Sequence, residues 1–194
     1  MQDKKPQSPL SGITQGLAAL MAEAGDPAKP RPVERWNPPD CGEVDIRIAA
    51  DGTWFYAGTP IGREALVRLF ASILRREPDG RYVLVTPVEK VGIKVEDAPF
   101  LAVEMHVDGR GAEQLLTLRT NVGDIVAAGQ SNPIRFELES GTGGLKPYIL
   151  VRGRLEARFT RALAQDLADL SGEKDGRSGI VSGGAFFAFP EINE

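Results

Sequence analysis

Between Tyr82 and Phe159 the apolar residues keep returning at every second position, and this alternation constrains the fold more than any other feature. Val91, Ile93 and Val95 alternate with Gly92, Lys94 and Glu96. Leu101, Val103, Met105 and Val107 alternate with Ala102, Glu104, His106 and Asp108. Ile134, Phe136 and Leu138 form a third set, and Leu155, Ala157 and Phe159 a fourth. Side chains two apart share one face of a strand, so each segment can bury one face and wet the other. Asp108-Gly109, Asn121, Asn132-Pro133 and Gly141–Gly144 supply turns, which predicts an antiparallel meander. Tyr148-Ile149-Leu150-Val151 is apolar on both faces and reads as a central strand. A sheet curled into a partly open barrel and flanked by a helix would bury these faces.

Outside this region the period is helical. Leu66, Leu69, Phe70, Ile73 and Leu74 follow i, i+3, i+4, i+7, i+8 spacing and predict a helix over Arg63–Arg75. Glu64 falls in its first turn, and Arg75 and Arg76 at its end, as the macrodipole favours. Strands Asp45–Ile48 and Trp54–Tyr56, joined by the Asp51-Gly52 turn, precede it. A second helix is expected from Thr160, an N-cap residue, to Leu170, with Gly172 ending it. Leu10, Ile13, Leu17, Leu20 and Met21 mark a short amphipathic helix, and Pro27, Pro30, Pro32, Pro38 and Pro39 an extended linker after it. The expected layout is an arm (1–40), a small α+β unit (41–81) and a barrel with a C-terminal helix (82–194). The strand–helix–Asp-Gly-Arg series ending at Asp79-Gly80-Arg81 returns at Asp175-Gly176-Arg177, which suggests duplication of a strand–helix core.

A net charge of −4 over 194 residues supplies no global field to attract nucleic acid. No apolar run reaches membrane-spanning length. The opening residues lack the apolar stretch of a secretory signal, and the single cysteine allows no internal disulfide, so a cytoplasmic location is expected.

No catalytic, metal or cofactor site is expected. His106 shares a strand face with Glu104 and Asp108, but side chains along one strand face rarely converge on a point. Cys41 has no activating signature around it. The glycine-rich stretch Glu139–Gly144 could cradle a phosphate, but it lacks the Gly-Lys-Ser/Thr of a P-loop and reads first as a hairpin connection.

Several short segments carry a family resemblance. They are Asp51-Gly52-Thr53-Trp54, Thr59-Pro60-Ile61-Gly62-Arg63, Thr86-Pro87-Val88-Glu89-Lys90, Val95-Glu96-Asp97-Ala98-Pro99-Phe100, Thr120-Asn121, Asn132-Pro133 and Pro147–Arg152. As a set they resemble the bacterial family Domain of Unknown Function 1285, over most of the chain beyond residue 36. The resemblance implies an α+β fold with a duplicated core and a C-terminal half similar to the pleckstrin-homology superfold. It also implies a cleft between the halves for a nucleotide-like ligand in a signalling role. It carries no catalytic residues.

The segments around Thr86 and Asp97 place acids, prolines and a lysine between strands, where turns alone would not need them. The expected function is a non-enzymatic sensor or binding module for an anionic molecule, nucleotide-like as the resemblance implies. Arg63, Lys90 and Arg152 would meet its charge, and Thr86, Glu89 and Asn121 would orient it, with Asp97 in the same seam. The competing reading of these charges is a set of structural ion pairs joining Arg63 and Arg152 to Glu89, Glu96 or Asp97. Two other functions stay open: a protein-interaction module, in which the arm engages a partner or a second copy, and an acid/base enzyme using Glu89, Glu96 or Asp97.

Overall fold

The computed structural model describes residues 31–191, together with Gly16, Ala18 and Ala19, which are helical. The apolar stripe expected between Leu10 and Met21 lies outside the described residues. The chain divides into two compact units, residues 1–46 with 55–94, and residues 47–54 with 95–194. Among the described residues no helix is long and apolar enough to cross a membrane.

The first unit holds most of a six-stranded sheet. In chain order its strands are β1 (Asp40–Ile48), β2 (Trp54–Tyr56), β3 (Thr59–Pro60), β4 (Leu74–Arg76), β5 (Tyr82–Val85) and β6 (Lys90–Val95), with helix α1 (Glu64–Ser72) between β3 and β4. The spatial order is β3-β2-β1-β6-β5-β4. Leu66, Leu69 and Phe70 of α1 are buried, as are Ile73, Leu74, Val83, Leu84, Val85, Val91 and Ile93 of the segments after it. Two expectations change here. The helix predicted to reach Arg75 stops at Ser72, and Leu74–Arg76 pair antiparallel with β5. Ile73 and Leu74 suit a helix stripe and a buried strand equally, and the partner strand decides between them. Residues 82–95, expected to open the barrel, are β5 and β6 of this first sheet.

Arg75 is one reason β4 holds its place. It is buried, and its Nη1 donates to the carbonyls of Val33 and Trp36, at 2.7 Å each, while its Nε donates to Glu77 Oε1 at 2.6 Å. Lys90 Nζ reaches the other Glu77 oxygen at 3.3 Å. Burial would push the Glu77 carboxyl up, but Arg75 and Lys90 outweigh it and hold the group below the ordinary glutamate range.

The second unit carries β7 (Phe100–Asp108), β8 (Leu115–Thr120), β9 (Ile125–Ala127), β10 (Ile134–Leu138), β11 (Leu145–Arg152) and β12 (Leu155–Phe159). Helix α2 (Arg161–Asp169) and then β13 (Gly172–Lys174), β14 (Arg177–Ser182) and β15 (Ala185–Ala188) follow. Six of these strands form a sheet in the order β10-β11-β12-β7-β8-β9, and β13–β15 form a separate three-stranded sheet. The pairing of β12 with β7 is parallel; β10–β11, β11–β12, β7–β8, β8–β9, β13–β14 and β14–β15 are antiparallel. The Thr160 side chain caps α2 by accepting the Leu163 N–H, as expected. The chain does not end with this helix, however. The Asp175-Gly176 and Gly183-Gly184 turns, all at positive φ, fold the remainder into a sheet that buries Ile180 and Phe187.

Gln114 and Ser182 tie that small sheet to β8. Gln114 Nε2 donates to the Val181 carbonyl at 2.8 Å. The fully buried Ser182 hydroxyl accepts the Leu116 N–H at 2.9 Å and donates to the Ala128 carbonyl at 2.8 Å.

The expected duplication has a counterpart in the element order. A three-stranded meander, β1–β3 or β10–β12, precedes a nine-residue helix in each unit. A second meander, β4–β6 or β13–β15, follows it, and an Asp-Gly-Arg sequence marks the turn between its first two strands both times, with Arg177 the first residue of β14. The fold is thus mixed α+β with a duplicated two-domain layout.

Candidate functional site

The alternation along β11 puts Lys146 and Tyr148 on one face, and antiparallel pairing sets Arg158 of β12 and Arg135 of β10 on either side of Tyr148. The Arg135 guanidinium lies 4.1 Å from the centre of the Tyr148 ring and is bound to Glu137 and Glu156. Asp97, in the segment just before β7, completes the group. Its Oδ1 accepts the Tyr148 hydroxyl at 2.7 Å. Its Oδ2 takes Lys146 Nζ at 3.0 Å and Arg158 Nη1 at 3.1 Å. Arg158 Nη2 also donates to the Ala50 carbonyl at 2.7 Å. Its Nε is buried with no hydrogen-bond partner among the described residues.

This cluster is unusually polar for its depth, and its titration reflects that. Burial would raise the Asp97 carboxyl, but the Tyr148 hydroxyl, Lys146 and Arg158 hold it below the ordinary aspartate range. The Tyr148 and Asp97 hydrogen bonds push the Lys146 ammonium up, and burial pushes the Tyr148 phenol up. A depressed carboxyl stabilises the fold above its unfolded pKa, and the contribution disappears as pH falls through the folded value. Asp97→Asn should therefore cost about 2 kcal/mol at pH 7, and the deficit should narrow steadily below about pH 4. Urea unfolding of both proteins at pH 7 and pH 3 measures it, and a deficit as large at pH 3 would contradict the assignment.

Beside the cluster opens a cavity of about 520 Å³, lined by the 139–144 loop, the start of β11, the end of β12 and one face of α2. Lys146, Arg158 and Arg161 are the basic residues of its lining, and Glu139 is the acidic one. Leu145, Pro147, Phe159, Ala164 and Ala168 supply apolar surface, and Thr142 and Gln165 neutral polar groups. The glycine loop contributes its walls more than its amides. The Gly143 N–H is bound to the Glu139 carbonyl at 3.0 Å and the Gly144 N–H to Thr142 Oγ1 at 3.2 Å.

Of the seven residues singled out in the sequence, Asp97 belongs to this cluster. Arg63, Thr86, Glu89 and Lys90 belong to the first unit. Arg63 is exposed at the N-cap of α1 without a side-chain capping bond. Thr86 is buried, and its hydroxyl accepts the Val88 and Glu89 N–H groups within the β5–β6 turn. The Glu89 carboxylate lies against Gly16, and Lys90 pairs with Glu77. In the second unit, Asn121 Oδ1 accepts the Leu101 N–H at 3.0 Å. Arg152 stacks over the Phe100 ring 5.0 Å from its centre and faces Asp124 at 3.7 Å; burial lowers its pKa. Neither lines the cavity. Sequence reasoning passed over Lys146, Tyr148, Arg158 and Arg161. The first two carried a readable signal, their i, i+2 spacing on a strand, but Arg158 joins them only through the β11–β12 register. Elsewhere, Glu104 is bound to Arg119, and His106 Nε2 lies 3.2 Å from Asp108.

Duplicated meander–helix–meander units, with a charged cavity in the second, define a two-domain α+β protein. Its two halves match two family models, "Domain of unknown function (DUF1285), N-terminal domain" over residues 31–98 and "Protein of unknown function (DUF1285), C-terminal domain" over residues 99–189. The chain belongs to the DUF1285 family. It is similar to the crystal structure of a DUF1285 family protein from Silicibacter pomeroyi, at 52% identity and a TM-score of 0.83, over 91% of this chain and 95% of that one. It is also similar to a DUF1285 family protein from Shewanella baltica, at 31% identity and a TM-score of 0.51, over 64% of this chain and 90% of that one. No curated protein matches.

Proposed function

We propose that the second unit is a non-enzymatic binding module for a small anionic molecule, held in the cavity between β11, β12, α2 and the 139–144 loop. The observation that carries this reading is a lining of about 520 Å³ of concave space that includes three basic residues and one acidic residue. Cavities of this size with an apolar floor and a few directed polar groups are the usual form of small-molecule sites. The chain as a whole is acidic, so the cationic wall is a local feature rather than an overflow of surface charge. A nucleotide-like molecule in a signalling role is the finer form of the reading, as is a pleckstrin-homology-like description of the curled sheet and α2. Both lean on the family resemblance. In this reading the charge of the ligand is met by Lys146, Arg158 and Arg161, in place of Arg63, Lys90 and Arg152.

A thermal-shift series with phosphate, pyrophosphate, citrate and AMP tests it. A binding anion at a hundred times its dissociation constant should add about 2.7 kcal/mol of stability. Arg161→Glu, which reverses an exposed charge on the wall, should weaken that anion by roughly tenfold. If no anion stabilises the protein, or Arg161→Glu leaves the shift intact, the reading fails.

A further inference from the structure

Two of the three basic residues in the cavity lining are already engaged. Lys146 and Arg158 both hold Asp97 Oδ2, at 3.0 and 3.1 Å. Asp97 belongs to the short segment between β6 and β7, and that segment is held by the same set of contacts. Its neighbour Glu96 is bound to Arg47 and accepts the Ala50 N–H at 2.9 Å. Arg158 takes the Ala50 carbonyl at 2.7 Å. Ala50 is thus gripped through its N–H by Glu96 and through its C=O by Arg158. One guanidinium serves the cavity, the 96–99 segment and the turn at Ala50.

If the anion is met by Lys146 and Arg158, it competes with Asp97 for them. A monoanion offers Lys146 and Arg158 no more charge than the carboxylate they already hold. Lys146, Arg158 and Arg161 carry three positive charges and Asp97 carries one negative, so a ligand with two negative charges leaves the cluster neutral. Glu139 is exposed and bonded to Thr142 on the loop, where water screens it. The five apolar residues of the lining call for an apolar body on the same molecule.

We infer that this cavity takes a dianion with an apolar body, a phosphomonoester or a dicarboxylate. It binds by drawing Lys146 and Arg158 from Asp97, which loosens residues 96–99 and the turn at Ala50. The inference rests on the cavity being the ligand site, as proposed above. Its effect would be to convert occupancy of the second unit into freedom of the segment that joins the two sheets in the chain.

Calorimetric titration at pH 8 with phenyl phosphate, phthalate and benzoate, with hydrogen exchange across residues 95–101, tests it. Phenyl phosphate or phthalate should bind at least about tenfold more tightly than benzoate, and whichever of the two is tighter identifies the head group. Saturation with the tighter dianion should speed exchange across residues 95–101, where an ordinary ligand would slow it. Asp97→Asn, which removes the competing charge, should bind the dianion about five- to tenfold more tightly and show fast exchange before ligand is added. The exchange measurement on the unmodified protein needs no variant, so a poorly folding Asp97→Asn does not remove the test. Equal affinity for benzoate, unchanged or slower exchange, or weaker binding by a folded Asp97→Asn overturns the inference alone. Failure of all three probes to bind the unmodified protein overturns the cavity reading along with it.

Discussion

Gly179→Ala should destabilise the protein by about 3 kcal/mol. Gly179 is buried in β14 with Ala188 of β15 directly opposite, and a β-carbon there would overlap the Phe187 carbonyl oxygen. It would also stand 2.7 Å from Cζ of Phe186 and 2.9 Å from the Ala188 Cα. Two of these three obstacles are backbone, so no rotamer change relieves them, and β15 must move away from β14. That movement also strains the Gln114 and Ser182 bonds, because Val181 and Ser182 lie on the same strand. Thermal unfolding of Gly179→Ala beside Gly172→Ala measures the effect. Gly172 opens β13 with nothing within 4 Å of its would-be β-carbon, and its substitution should be close to neutral. Equal stability of the two variants would show that β14 and β15 have room the geometry denies.

The Arg75→Met variant should lose a similar amount, about 3 kcal/mol, by a different route. Methionine fills much of the volume but leaves the Val33 and Trp36 carbonyls without their donor and Glu77 without its closest cation. Lys90 still meets Glu77, which keeps the loss near the lower end for a broken buried pair. The sign of the pH dependence follows from the depressed Glu77 carboxyl. Its contribution is complete above the unfolded pKa, near 4, and fades as pH falls through the lower folded value. The deficit of Arg75→Met should be greatest at neutral pH and shrink toward pH 3. Adding Glu77→Gln to it should recover part of the loss. A deficit that is flat with pH would assign the cost to the two carbonyls and leave no share to the ion pair.

The helix periods and most of the strands were legible because each depends on a local pattern. The i, i+3, i+4 spacing around Leu66 marked α1, and Thr160 marked the cap of α2. What failed was partnership. The alternation at Val91 and Ile93 announces a strand but cannot say that it pairs with β5 and β1 rather than with β7. Arg75 carried a helix-end signal that its buried bonds to Val33 and Trp36 override. Leu116 and Leu118 alternate as clearly as any pair in the chain, and the sheet after α2 is hidden because its strands run for only three, six and four residues. The candidate site divides in the same way. Asp97 stood out because an acid between strands needs a reason. Arg158 looked like one more outward residue of an alternating strand until register set it beside Tyr148.

The first sheet ends, on one side, in the two residues of β3 and, on the other, in the three of β4. Pro60 removes an amide donor from β3, and Arg75 of β4 binds the Val33 and Trp36 carbonyls. An edge so short or interrupted offers a foreign strand almost no ladder to extend. The sheet therefore carries its own protection against growing into an aggregate. Lengthening β3, or replacing Pro60 with a β-branched residue, would remove that protection without disturbing a single core contact.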